Sequence, residues 1–215
     1  MQMSPKQYWE NKLLSWELLR YSKLASVHPF AWSVRSRFFR ASKLIQERVS
    51  KGSSIFEIGC GSGLLAERLV SIAGKYKGID IAENAIQLAR QRVKHRSFEF
   101  NAVDLLNAEF EFADLTVLLG VIDWLDYQEV EKLFSKIRSK YILISHTDAS
   151  KWSPYRFYRR IIDGEDSKEK YGARDYSAEQ IKKILKKNGY SFEAITQPNL
   201  LNPGALVWAC KIIEF

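Results

Sequence analysis

Apolar positions along this chain switch between the period of a helix and the short continuous runs of buried strands. Behind Ser4-Pro5, an N-cap with proline in the first helical position, Tyr8, Trp9, Leu13, Trp16 and Leu19 or Arg20 follow at helical spacing. His28-Pro29 breaks that helix. A second helix is predicted from about 30 to 49, with Phe38, Ala41, Leu44 and Ile45 as its buried stripe. Apolar runs at about 53–58, 75–79, 97–101, 114–119 and 140–145 then read as strands. Helical patterns separate them: one from the glycine-rich stretch near 60 to about Ile72, one over about 83–94 and one over about 128–138. Strands alternating with helices predict a parallel sheet covered on both faces.

The tail departs from this alternation. Ser177-Ala-Glu-Gln180 has the spacing of a capping box, and Asn188-Gly189 ends the helix it starts. Runs at about 190–196 and 205–213 flank Pro198-Asn-Leu-Leu-Asn-Pro-Gly204. No helix fits between them, so they are expected to pair antiparallel.

The most informative stretch is Ile55-Phe-Glu-Ile-Gly-Cys-Gly-Ser-Gly-Leu-Leu65. An apolar run reaches an acid, Glu57, and three glycines follow at alternate positions, Gly59, Gly61 and Gly63, before a helical pattern begins. A glycine-rich strand-to-helix turn allows a ligand close to the backbone and presents amides at a helix start. The next two strands end at Asp80 and Asp104, and an acid at the end of a second strand is placed to accept from ribose hydroxyls. The dinucleotide fingerprint fits poorly: its third glycine comes one residue early, Leu64 stands in its place, and Glu57 has no part in it.

On these residues the chain resembles the class I S-adenosylmethionine-dependent methyltransferases. Glu57-Ile-Gly-Cys-Gly-Ser-Gly63 is similar to their first motif and Gly78-Ile-Asp-Ile-Ala-Glu-Asn-Ala-Ile-Gln-Leu-Ala-Arg90 to their second. Phe98-Glu-Phe-Asn-Ala-Val-Asp-Leu105 is similar to the third and Ala113-Asp-Leu-Thr-Val-Leu-Leu-Gly120 to the fourth. The resemblance implies an α/β, three-layer Rossmann-like fold: a mostly parallel seven-stranded sheet in the order 3-2-1-4-5-7-6, with an antiparallel last strand, plus N-terminal helices. The residues themselves divide the chain into an expected N-terminal helical lid over 1–50, outside the resemblance, and a methyltransferase domain over 51–215, with a substrate insert at about 147–176. The resemblance also implies a cofactor, S-adenosyl-L-methionine, leaving as S-adenosyl-L-homocysteine. Glu57 and the loop at Gly59, Cys60, Gly61 and Gly63 would hold the methionine end. Asp80 would take the ribose, Ile81 one adenine face, and Asp104 and Leu105 the adenine amine and ring. Leu119 and Gly120 would line the sulfonium side.

Composition narrows the class. A chain of 215 residues, 46% apolar, suits one domain with a full core. It has no apolar run of membrane-spanning length and no secretory h-region near its start. Only two cysteines occur, Cys60 and Cys210, and a disulfide at Cys60 would obstruct the glycine loop, so a cytoplasmic location is expected. The three histidines are scattered, and no metal site is expected. The net charge of +8 is unevenly placed: residues 1–52 hold ten Lys/Arg and three Asp/Glu, a net of +7. Arginines stand among aromatics in Val34-Arg-Ser-Arg-Phe-Phe-Arg40 and in Lys151-Trp-Ser-Pro-Tyr-Arg-Phe-Tyr-Arg-Arg160. Such clusters suit an anionic, partly planar partner, or else form a solvated helix face.

The acceptor is expected beyond the carboxyl ends of the strands, among Asp123, Trp124, His146, Asp148 and the long insert. Substrate contacts are expected from Tyr155, Arg156, Tyr158, Arg159 and Tyr176, with Arg35 and Arg37 from the N-terminal helices. A sulfonium methyl needs an aligned acceptor and one proton managed, with His146 or Asp123 as base, or no base at all. Gly120-Val-Ile-Asp-Trp124 lacks the Asn/Asp-Pro-Pro-aromatic pattern of nucleic-acid amino methylation, and no cysteine follows strand four for pyrimidine C5 chemistry. The leading expectation is O- or N-methylation of a small acceptor carrying a carboxylate or phosphate. An RNA- or protein-directed methyltransferase, an enzyme at an anionic membrane surface, and a non-catalytic binding protein of the same fold are the alternatives.

Overall fold

The computed structural model describes residues 4–21, 31–148, 174–196 and 204–212. Helices α1 (Pro5–Tyr21) and α2 (Ala31–Arg48) precede the first strand. There follow β1 (Ser54–Ile58), α3 (Leu64–Leu69), β2 (Lys75–Asp80), α4 (Glu83–Arg92) and β3 (Phe98–Ala102). Next come β4 (Ala113–Leu119), a 3-10 turn (Ile122–Trp124), α5 (Tyr127–Lys136) and β5 (Ser139–Thr147). Helix α6 (Ala178–Lys187) leads to β6 (Glu193–Thr196) and β7 (Gly204–Cys210). The break expected at His28-Pro29 lies outside the described residues, as does most of the insert.

The seven strands form one sheet in the order β3-β2-β1-β4-β5-β7-β6, as expected. The first five pair parallel, and β7 runs antiparallel between β5 and β6. Alternation along each strand feeds two cores. Ile55, Leu115, Val117 and Leu143 pack with Ala41, Leu44 and Ile45 of α2 and with buried residues of α3 and α4. Phe56, Ile58, Leu118, Ile142 and Ile144 pack with Val130, Leu133 and Phe134 of α5 and Ile181, Ile184 and Leu185 of α6. Helix α2 therefore belongs to the core layer.

Both helices on the second face start with a capping box. Ser177 accepts from the Gln180 amide at 3.2 Å and Gln180 accepts from the Ser177 amide at 2.9 Å, as expected. Asp126 and Glu129 form the same reciprocal pair, each at 2.8 Å, which starts α5 at Tyr127. Several ends fall short of expectation. Helix α3 stops at Leu69, because the Ile72 and Ala73 amides both turn back to the Leu69 carbonyl. Helix α4 stops at Arg92 and α5 at Lys136. Tyr190 forms only an isolated bridge to Lys211, so β6 begins at Glu193.

Candidate active site

Above the carboxyl ends of β1, β2, β3 and β4 lies a cavity of about 460 Å³. Gly59, Cys60 and Gly61 line one side, and Asp80, Ile81, Asp104 and Leu105 line the next. Leu119, Gly120, Asp123 and Trp124 come from the end of β4. Helix α1 lies over it with Trp9, Leu13 and Glu17, α2 adds Arg37 and Phe38, and Thr147 and Arg174 also line it. Twelve residues expected from sequence thus meet in one cavity: the seven from Gly59 to Leu105 just named, with Leu119, Gly120, Asp123, Trp124 and Arg37.

The loop and the first acid form one hydrogen-bonded unit. Asp80 accepts from the Gly61 amide at 2.9 Å and from the Ala82 amide at 3.0 Å. Burial pushes its pKa above the ordinary carboxylate value, against those two hydrogen bonds. Asp104 accepts from the Leu106 amide at 2.9 Å and from Asn107 Nδ2 at 3.0 Å, which fixes it at the cavity edge. Each carboxylate oxygen keeps a further lone pair for a ligand hydroxyl or amine.

Several expected residues lie elsewhere. Glu57 shares a sheet face with Ile55, points beneath the loop and accepts a hydrogen bond from the Tyr76 hydroxyl; it does not line the cavity. Burial, reinforced by Asp80 and Glu17, pushes its pKa up to about 8 although the Tyr76 hydrogen bond opposes the shift. Its carboxyl is thus turned to Tyr76 and away from the cavity where the methionine end is expected. Gly63 is also away from the cavity. Its φ of 77° starts α3, and a Cβ there would stand 3.1 Å from that of Ala89, so it is a packing glycine.

His146 is 2% exposed and does not line the cavity. Along β5 it shares parity with Ile142 and Ile144, which pack under α5 and α6. Its Nδ1 lies 3.3 Å from the Thr147 carbonyl, and Nε2 has no partner among the described residues. The described cavity therefore has Asp123, and not His146, on its wall. Asp123 does reach the cavity, where it accepts from the Thr147 amide at 3.0 Å and hydroxyl at 3.2 Å. Tyr176 is buried and donates its hydroxyl to the Leu125 carbonyl at 2.5 Å, so it braces the turn before α5. Burial raises its pKa. Tyr155, Arg156, Tyr158 and Arg159 lie outside the described residues, as does the side chain of Arg35.

Arg37 is half-buried, and its guanidinium lies against Gly120, where an added Cβ would stand 2.5 Å from Nη1. Its Nε is buried without a hydrogen-bond partner among the described residues. Glu17 is a cavity residue that sequence reasoning missed. It accepts from the Ser62 amide at 3.0 Å and also from the Ser62 hydroxyl. Its only sequence signal is that it is one of three acids, with Glu10 and Glu47, in an otherwise basic segment. Among the described residues, no group of three or more His, Cys, Asp or Glu could hold a metal ion, and no helix is long and apolar enough to cross a membrane.

Comparisons with known proteins bear on the fold and the domain. Residues 55–140 match a family model described as a methyltransferase domain. A ribosomal protein L11 methyltransferase of Desulforapulum autotrophicum is 35% identical over 80 residues, covering 34% of this chain and 26% of the relative. A malonyl-[acyl-carrier protein] O-methyltransferase of Bacillus cereus is 31% identical over 112 residues, covering 48% and 41%. The chain thus spans well under half the length of these relatives. A magnesium protoporphyrin IX methyltransferase of Synechocystis, solved with bound S-adenosylhomocysteine, superposes with a TM-score of 0.76 at 16% identity, covering 96% of this chain and 97% of the other.

Proposed function

As a member of the class I S-adenosylmethionine-dependent methyltransferase family, this chain, we propose, transfers a methyl group from S-adenosylmethionine to an oxygen or nitrogen of a small anionic acceptor. The observation that carries the reading is the convergence of the glycine loop, Asp80 and Asp104 on one cavity. The donor set fits the cofactor: two fixed carboxylates with spare lone pairs suit a ribose diol and an adenine amine, and Ile81 and Leu105 offer apolar walls for the ring. Leu119 and Gly120 would face the sulfur end.

When bound, S-adenosylmethionine supplies an electrophilic methyl group, so the protein's work is alignment. Asp80 and Asp104 fix the nucleoside end. Helix α1, with Trp9 edge-on to Trp124 at 4.9 Å, closes the cavity against water and acts as a lid. Arg37 supports the anionic acceptor, because an incompletely satisfied guanidinium on a cavity wall favours a carboxylate or phosphate. An acceptor that arrives ionised requires no base; for one that must lose a proton, Asp123 is the one of the two expected bases that lines the cavity.

The relatives named for ribosomal protein L11 and the basic N-terminal segment favour a second reading, a macromolecular acceptor. Transfer of labelled methyl from S-adenosylmethionine into a bacterial lysate split by size tests both, with Asp80→Ala as control. Label in the small-molecule filtrate that vanishes with the variant supports the first reading. Label confined to nuclease- or protease-sensitive material supports the second, and no label in any fraction counts against both.

A further inference from the structure

The glycine loop has no free amide to offer a ligand. Gly59 and Cys60 donate to the Ile79 carbonyl at 2.8 and 3.0 Å, and Gly63 donates to Cys60 at 3.0 Å. Gly61 donates to Asp80 and Ser62 to Glu17, as described above. A loop whose donors are all engaged by its own chain presents carboxylates and carbonyls, and such a surface selects a cation.

Glu17 is the carboxylate at that place. It lines the cavity beside Cys60 and Gly61, and a Cβ on Gly61 would stand 2.8 Å from its Oε1. Its position is braced from below, since Arg92 Nη1 donates to the Ser62 carbonyl at 2.6 Å and to the Ser62 hydroxyl that donates to Glu17. Glu57, the acid the resemblance would choose, is beneath the loop and turned to Tyr76.

We propose that Glu17, supplied by α1, accepts the ammonium group of the cofactor's amino-acid end in place of Glu57. The inference rests on the cofactor reading above. It also gives α1 a reason to close. The helix is attached at Trp9 to Trp124 and at the Glu10 carbonyl to Asn84 Nδ2, 2.7 Å away. Glu17 already joins the opposite end of the helix to Ser62, and a ligand that engages it reinforces that attachment.

Calorimetric binding of two ligands to the whole chain tests this. S-adenosylhomocysteine carries the amino-acid end; 5′-methylthioadenosine has the same nucleoside without it. Glu17→Gln should weaken S-adenosylhomocysteine by about tenfold or more and leave methylthioadenosine within about twofold, the size of a lost charge-assisted hydrogen bond. Glu57→Gln should not change the ratio of the two affinities. S-adenosylhomocysteine should also slow tryptic cleavage within α1 in the wild type and not in Glu17→Gln. An unchanged S-adenosylhomocysteine affinity in Glu17→Gln, an equal loss for both ligands, or a selective loss in Glu57→Gln instead would overturn the proposal. Binding of neither ligand to the wild type would remove the cofactor reading itself and the proposal with it.

Discussion

Asp80, at the end of β2, accepts a hydrogen bond from the amide of Gly61 at 2.9 Å, so the acid that would hold a ribose also holds the glycine loop in shape. Asp80→Ala should therefore cost both binding and stability. The expected loss is about 100-fold in S-adenosylhomocysteine affinity, with about 1–3 kcal/mol of stability from the two amides left without an acceptor. Ribose hydroxyls favour the ionised carboxylate, so binding lowers the pKa that burial has raised. Affinity should then fall on acidification, beginning above the ordinary carboxylate range, and this acid limb should vanish in Asp80→Asn. Titrating affinity against pH checks it; a flat profile in the wild type contradicts the assignment.

Glu57 makes a stability prediction of opposite sign. Its pKa is near 8 in the folded chain against an ordinary 4.5, so the folded state keeps a proton that the unfolded state releases. Stability from this group is present below about pH 4.5 and is lost as pH rises to about 8. Glu57→Gln, which preserves an acceptor for Tyr76, should flatten that slope and raise the melting temperature at pH 8 more than at pH 5, by the equivalent of a few kcal/mol at most. Parallel melting curves for the two proteins across this range would show that the carboxyl is ionised in the fold.

Gly63 should tolerate no side chain. At φ 77° and 3.1 Å from the Ala89 Cβ, Gly63→Ala adds left-handed strain and a contact between α3 and α4. A loss of about 1–3 kcal/mol is expected from denaturant unfolding. Pairing it with Ala89→Gly should recover the contact part only. A neutral Gly63→Ala would mean that the helices separate freely at this point.

Arg37→Ala should raise the KM for the acceptor by about tenfold or more and leave S-adenosylhomocysteine binding nearly unchanged, since charge-assisted hydrogen bonds to an anion are lost from one ligand only. A loss confined to S-adenosylhomocysteine affinity would place the guanidinium on the cofactor's own carboxylate and weaken the case for an anionic acceptor.

The sheet was legible in the sequence because strands buried on both faces read as apolar runs, and the turn chemistry at Ser177 and Asn188-Gly189 marked α6. Helix ends were less legible: the return of Ile72 and Ala73 to Leu69 is a local choice of the backbone, and the Asp126 and Glu129 capping box was overlooked. In the site, Asp80 and Asp104 reach the cavity because position at a strand end alone decides it. Where the side chain turns matters as well, and strand position does not settle it. Glu57 faces Tyr76, and His146 shares strand parity with Ile142 and Ile144, each one step of alternation from the neighbouring residue. Glu17 reaches the loop across 45 residues of chain, a tertiary approach that no local pattern announces.

The central claim is that this cavity is a cofactor site, and equilibrium binding of S-adenosylhomocysteine measures it most directly. The account predicts saturable binding of one molecule per chain to the wild type and its loss in both Asp80→Ala and Asp104→Ala. Absence of binding to the wild-type chain, or equal binding to all three proteins, would contradict it.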